Sequence, residues 1–187
     1  MKKYVLAILL CGVAAVSHAQ NASVERSFWG IQTGYFGVWV HNEHRLSNSI
    51  ALRSEIGLDS GIFDSNYSNK TGFIFIPVIT VEPRWYYNLG KRLRESKRIA
   101  NNSGNFVAIE ASYNPDWFVI SNYNDITALS NISLVPTWSI RRNIGNHFDF
   151  EVGIGAGYQH IFAKKTEYNG KENDFTIILN LRIGYIF

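Results

Sequence analysis

The side chains that could do chemistry are few. Beyond residue 20 the chain holds four histidines: His41, His44, His147 and His160. A lipid deacylase of the serine type needs a hydroxyl activated by an imidazole, and an acid to orient the ring. His160 has Glu167 nearby in sequence and Ser121 and Ser130 upstream, and His147 precedes Asp149 by two positions. Neither spacing is diagnostic. His41, Glu43 and His44 form at most a weak metal pair, because a third ligand is not evident. No catalytic residue, metal or cofactor is therefore expected. Cys11 is the only cysteine, and it lies in the apolar leader, so the rest of the chain has neither disulfide nor thiolate chemistry.

The arginines and glutamates are more informative, because they fall on one face of alternating segments. From His147, the residues His147, Asp149, Glu151, Gly153, Gly155, Gly157 and Gln159 share one face. Phe148, Phe150, Val152, Ile154, Ala156 and Tyr158 share the other. Period two means a strand with unlike faces. The last segment repeats the pattern, with Phe175, Ile177, Leu179, Leu181, Ile183, Tyr185 and Phe187 on one side and Thr176, Asn180, Arg182 and Gly184 on the other. Across the segments the polar face collects Arg53, Arg84, Arg141 and Arg182 against Glu55, Glu82, Glu110 and Glu151. Lysines, the commonest solvent-facing residues, are scarce there. A greasy face opposite a charge-paired face suits a narrow membrane barrel with a hydrated interior better than a soluble sandwich.

Two further features agree. Met1 to Ala19 read as a signal peptide, with Lys2 and Lys3 as the charged start, Tyr4 to Val16 as the apolar stretch, and Ser17-His18-Ala19 as the processing site before Gln20. Thirteen apolar-stretch residues are too few for a spanning helix. After Gln20 no apolar run is long enough to span as a helix, so membrane insertion would be by strands. The chain also ends on an aromatic, Phe187, on the apolar face of its last strand. That resembles the signal read by the outer-membrane barrel assembly machinery. Trp29, Trp39, Trp85, Tyr87, Trp138 and Tyr158 are expected to form aromatic girdles at headgroup depth.

The expected fold is thus all-β: a small closed antiparallel transmembrane barrel, residues 20–187, after a cleaved leader, residues 1–19. Seven strands are legible, at 28–41, 46–59, 73–88, 104–113, 129–142, 147–160 and 174–187. Barrels of this kind have an even number, with eight as the minimum, so eight are expected. Trp117 to Tyr123 is the candidate for the missing one. Pro77, Pro83 and Pro136 inside strands are expected to mark bulges or register adjustments. With the C-terminus facing the periplasm, 60–72, 114–128 and 161–173 become outer loops, and 89–103 and 143–146 periplasmic connections. That walk leaves strand 28–41 starting on the wrong side, which restates the missing strand.

The segments Gly30-Ile31-Gln32-Thr33-Gly34, Leu52-Arg53-Ser54-Glu55-Ile56-Gly57, Glu82-Pro83-Arg84-Trp85-Tyr86-Tyr87-Asn88 and Arg141-Arg142-Asn143-Ile144-Gly145 resemble those of small outer-membrane β-barrel proteins of Bacteroidota-type bacteria. The resemblance implies an outer-membrane location and carries no catalytic residue with it.

An eight-strand barrel is nearly filled by its own side chains. The expected role is therefore structural or surface-interacting, with the interior plugged by Arg/Glu pairs; a lipid A or phospholipid deacylase or acyltransferase is the alternative. The expected partners are outer-membrane lipids and the assembly machinery, with any surface ligand unspecified. The basic connection Lys91, Arg92, Arg94, Lys97 and Arg98 would suit anionic headgroups. The net charge of +3 includes Lys2 and Lys3, so the remainder is close to neutral and nucleic acid is not an expected partner.

Overall fold

The computed structural model describes residues 22–64, 71–123, 126–162 and 172–187. The leader, with its expected cleavage site, and most of 161–173, with Lys164, Lys165, Glu167 and Lys171, lie outside the described residues. The strands are β1 (Ser27–Gly34), β2 (Gly37–Arg45), β3 (Ile50–Asp64), β4 (Thr71–Tyr86), β5 (Asn105–Asn114), β6 (Ile120–Ser121), β7 (Asn131–Ile144), β8 (Phe148–Ile161) and β9 (Asn173–Ile186). A short helix, α1 (Leu89–Arg94), and a 3-10 turn (Ala100–Asn102) join β4 to β5.

Eight of these strands close an antiparallel barrel in the order β1, β2, β3, β4, β5, β7, β8, β9, with β9 returning to β1. The eighth stave is not Trp117–Tyr123. Only Ile120 and Ser121 of that segment are extended, and they add to the far end of β4 opposite Phe75 and Ile74. The missing strand lies inside the segment 28–41, which is a hairpin: Gly34 pairs with Gly37, and Tyr35-Phe36 make the turn. Gly37 has φ +148°, and a Cβ there would stand 2.1 Å from the Leu58 carbonyl oxygen, so the turn needs glycine. The extra strand brings the start of β1 and the end of β9 to the same rim, which removes the topological conflict. We call this the lower rim. It also carries the turns 46–49 and 145–147 and the α1 connection.

The prolines do not shift the register. The β4–β5 ladder keeps one register on both sides of Pro83, and β5–β7 runs through Ile109↔Pro136 without a bulge. The β3–β4 ladder likewise runs unbroken through Leu58↔Pro77. A proline removes one donor but leaves the extended backbone intact, and the long flanking ladders hold it in place.

The lower end is filled by an apolar plug. Ala22, Val24, Ala51, Tyr86, Leu89, Phe106 and Ala108 form the buried core, with Ile99 packed against it. The segment before β1 is tied in by Val24 N–H to Asn48 O (3.0 Å) and Glu25 N–H to Asn102 Oδ1 (2.6 Å). No helix among the described residues is long and apolar enough to cross a membrane, which does not bear on strands.

Candidate functional site

Strict alternation along the staves puts charge in the lumen. In β2 the inward residues are Gly37, Trp39, His41 and Glu43; in β8 they include Asp149 and Glu151. Arg53, Arg84 and Arg141 are among the largest fully buried side chains of the molecule. Buried charges are tolerated only when paired and hydrogen-bonded, and these are.

Arg141 is the hub. Its Nη1 donates to Glu43 Oε2 at 2.7 Å, its Nη2 to Glu151 Oε2 at 2.9 Å, and its Nε lies 3.3 Å from Asp149 Oδ2. Arg84 makes a two-pronged contact with Glu151 (Nη1 to Oε2 2.9 Å, Nη2 to Oε1 3.0 Å) and donates to Glu82 Oε2 at 2.6 Å. Its guanidinium also stacks 4.3 Å above the Phe106 ring. Arg53 donates to Glu55 on its own strand and to Gln32 Oε1 at 2.7 Å; Gln32 in turn donates to Asp149 Oδ2 at 2.9 Å. Arg182 reaches Glu55 at 2.9 Å and lies 4.1 Å from the Trp39 ring centre. The plug joins this network from below: the Tyr86 hydroxyl donates to Glu43 Oε1 at 2.8 Å and Asn102 Nδ2 to the same oxygen at 2.5 Å.

The structure thus brings together Arg53, Glu55, Glu82, Arg84, Arg141, Glu151 and Arg182. Glu110 differs. It faces the lumen and is buried, but it makes no ion pair among the described residues; the Ser112 hydroxyl approaches it at 3.4 Å. Glu43 is an interior charge that the strand expected at 28–41 stops short of, and alternation alone does not link Asp149, Gln32 and Tyr86 to the charges.

Trp39 departs from the girdle expectation. It is buried in the lumen, donating its indole N–H to Asp59 Oδ1 at 2.9 Å. The two-residue turn is the cause: it flips the parity of inward positions from even in β1 to odd in β2, so Trp29 and Trp39 face opposite sides. Trp29, Trp85, Tyr87, Trp138 and Tyr158 are exposed on the outer surface. Trp138 Nε1 donates to the Tyr87 hydroxyl at 2.9 Å, and Tyr158 meets Phe175 edge-on. Phe187 is exposed too, and its N–H is held by Trp29 O at 3.0 Å.

Among the described residues, which exclude Glu167, the histidines are not assembled into a reactive centre. His41 is buried in the lumen, whereas His44 faces outward on the same strand, so the two do not converge. No group of three metal-ligating side chains occurs among the described residues. His160 Nδ1 contacts Asn173 Oδ1 at 2.9 Å and its ring packs on Phe162, while the Ser121 hydroxyl donates to Phe73 O at 2.7 Å. His147 Nδ1 contacts the Ile186 carbonyl at 3.0 Å and stacks on Tyr185, facing away from Asp149.

The basic connection sits at the lower rim and is partly spent on its own structure. Arg92 donates to Arg98 O at 2.8 Å, and Arg98 to Asn146 Oδ1 at 3.3 Å. Lys97 donates to Glu95 at 2.7 Å, which holds the Glu95 carboxyl below the usual carboxylate range. Lys91 and Arg94 are left exposed.

Comparison of the chain with protein-family models, with curated proteins and with solved structures yields no match. The reading of function rests on the geometry.

Proposed function

We propose that the protein is a non-enzymatic outer-membrane barrel with a structural or surface-interaction role, its lumen closed by the ion-pair network. One observation carries the reading: polarity is inverted. Arginine and glutamate fill the inside, while Trp29, Ile31, Val40, Ile56, Val107, Ile109, Leu134, Trp138, Ile154, Leu179 and Ile183 stand exposed on the outside. A soluble barrel would leave that apolar surface in water, far beyond the few-hundred-Å² patches that soluble monomers tolerate. A hydrocarbon belt flanked by aromatics removes the conflict.

The leader, the terminal Phe187 and the resemblance to Bacteroidota-type barrels support the outer membrane as the location, and the lower rim as the periplasmic side. There the exposed Lys91 and Arg94 face inner-leaflet headgroups. The described residues form no serine–histidine hydrogen bond, so the lipid-modifying alternative has no geometric support. Expression of the chain in a Gram-negative host, followed by fractionation and lipid A mass analysis, tests both points. The expected result is a heat-modifiable barrel in the outer membrane with lipid A unchanged; a soluble periplasmic protein, or altered acylation, would overturn it.

A further inference from the structure

The barrel wall is uneven. β9 pairs with β8 along nearly its whole length, but its pairing with β1 stops at Gly34↔Arg182. Residues 173–181 therefore continue past the β1–β2 turn without a β1 partner. On the other side, β3 continues past its last β2 pair, Gly37↔Asp59, through residues 60–64. With about 3.3 Å of rise per residue and a tilt near 45°, β9 stands roughly 20 Å taller than the hairpin beside it. Among the described residues no strand fills the notch between β9 and β3. The outward side chains at its flank, Phe175, Ile177, Leu179 and Leu181, are apolar and exposed, so on the membrane reading the notch lies at outer-leaflet depth.

Behind the notch is a cavity of about 260 Å³, where one water needs only about 10–15 Å³ of such space. Phe36 sits at its sill, with Ser60 on one side and Ile177–Leu181 on the other; inside are Trp39, Asp59, Glu110, Asn180 and Arg182. Its charge is lopsided. Glu55 is shared between Arg53 and Arg182, Arg182 is also the cation nearest Glu110, and Asp59 accepts from Trp39 and Asn114 (3.1 Å), so among the described residues three carboxylates here face two guanidiniums. Arg182 Nε, in a side chain only 9% exposed, has no acceptor among the described residues. A surplus carboxylate held in a half-dry cavity is costly, and an ammonium group would relieve that cost.

The geometry points to a lateral binding site for a single-chain amphiphile with an ammonium end. The chain lies in the notch against Phe36, Ile177 and Leu179, and the ammonium reaches Glu110 and Asp59. The outer-leaflet source of this ligand rests on the membrane reading; the site itself does not.

The test is titration of the ¹⁵N-labelled barrel, in maltoside micelles, with dodecylamine, dodecanol and dodecanoate. Dodecylamine is expected to give saturable shifts of the Trp39 indole N–H and the Asn180 side-chain amide, dodecanol weaker ones, and dodecanoate none. Glu110→Gln is expected to weaken the amine at least about tenfold, the loss of one charge-assisted hydrogen bond. Ile178→Trp, which fills the cavity and leaves every ion pair in place, is expected to abolish binding. Equal responses to all three compounds mean micelle partition only and overturn the proposal, as does a Trp39 signal that stays still. An amine-binding barrel that fails to insert into vesicles would instead sink the membrane reading while leaving the site intact.

Discussion

Arg141 and Glu43 are 98 residues apart in sequence, yet Nη1 and Oε2 lie 2.7 Å apart. Arg141 is on β7 and Glu43 on β2, four staves apart in a ring of eight, so the pair spans the lumen at its widest. A single contact of this kind links opposite walls. Arg84–Glu151 and Arg182–Glu55 do the same across three staves.

Breaking the central pair should therefore be severe, and removing both partners less so. Glu43→Gln leaves Arg141 with fewer carboxylates, and Arg141→Met leaves Glu43, Asp149 and Glu151 crowded without their shared cation. Loss of one partner of a buried pair costs about 3–5 kcal/mol. The double variant is expected to recover part of this, as a positive coupling in a double-mutant cycle of urea unfolding in detergent. Strict additivity would show that the two side chains do not meet.

Arg84 touches three carboxylates: Glu82, Glu151 and, at 3.6 Å, Glu43. Among the described residues Glu82 is hydrogen-bonded to Arg84 alone and leaves Oε1 unbonded. Arg84→Met is thus predicted to lower the unfolding midpoint much more than Glu82→Gln, in the same urea titration. Equal effects would contradict the assigned geometry.

Gly57 lies flat under Trp39: a Cβ would stand 2.5 Å from Trp39 Cδ1 and 2.3 Å from the Val38 carbonyl oxygen. Because one of those atoms is backbone, Gly57→Val must part β2 from β3 or expel the indole. The expected loss is about 1–3 kcal/mol, the usual cost of overpacking. Gly145→Ala, in an open turn with φ +64°, should cost only the strain of the left-handed backbone, on the order of 1 kcal/mol.

The network also bears on conductance. The lumen is crossed by ion pairs and stoppered below by Tyr86, Leu89 and Phe106. Planar-bilayer recordings of the refolded barrel are expected to show no reproducible steps. Regular ohmic steps would contradict the plugged lumen.

Much of this was legible in the sequence, for a physical reason. β8 and β9 carry unlike faces, and a period of two written in Phe, Ile and Leu against Arg, Glu and Gly is hard to mistake. The first hairpin was hidden because its turn is Tyr35-Phe36, two aromatics where Asn-Gly would announce a reversal. Reading through it cost a strand, placed Trp39 on the wrong face and ended β2 before Glu43. The across-lumen partners were beyond reach for another reason. Alternation says which residues face inward, but only closure and register say which of them meet.

Polarity is inverted, with the charged face inside and the apolar face outside, and the proposed function places that outer face in lipid. Single-tryptophan variants in vesicles of brominated lipid test it most directly. Trp138 and Trp85, exposed on the outer wall, should be strongly quenched. Trp39, buried behind Asp59 and Arg182, should not. Quenching of Trp39 as strong as that of Trp138, or no quenching of either outer tryptophan, would contradict the account.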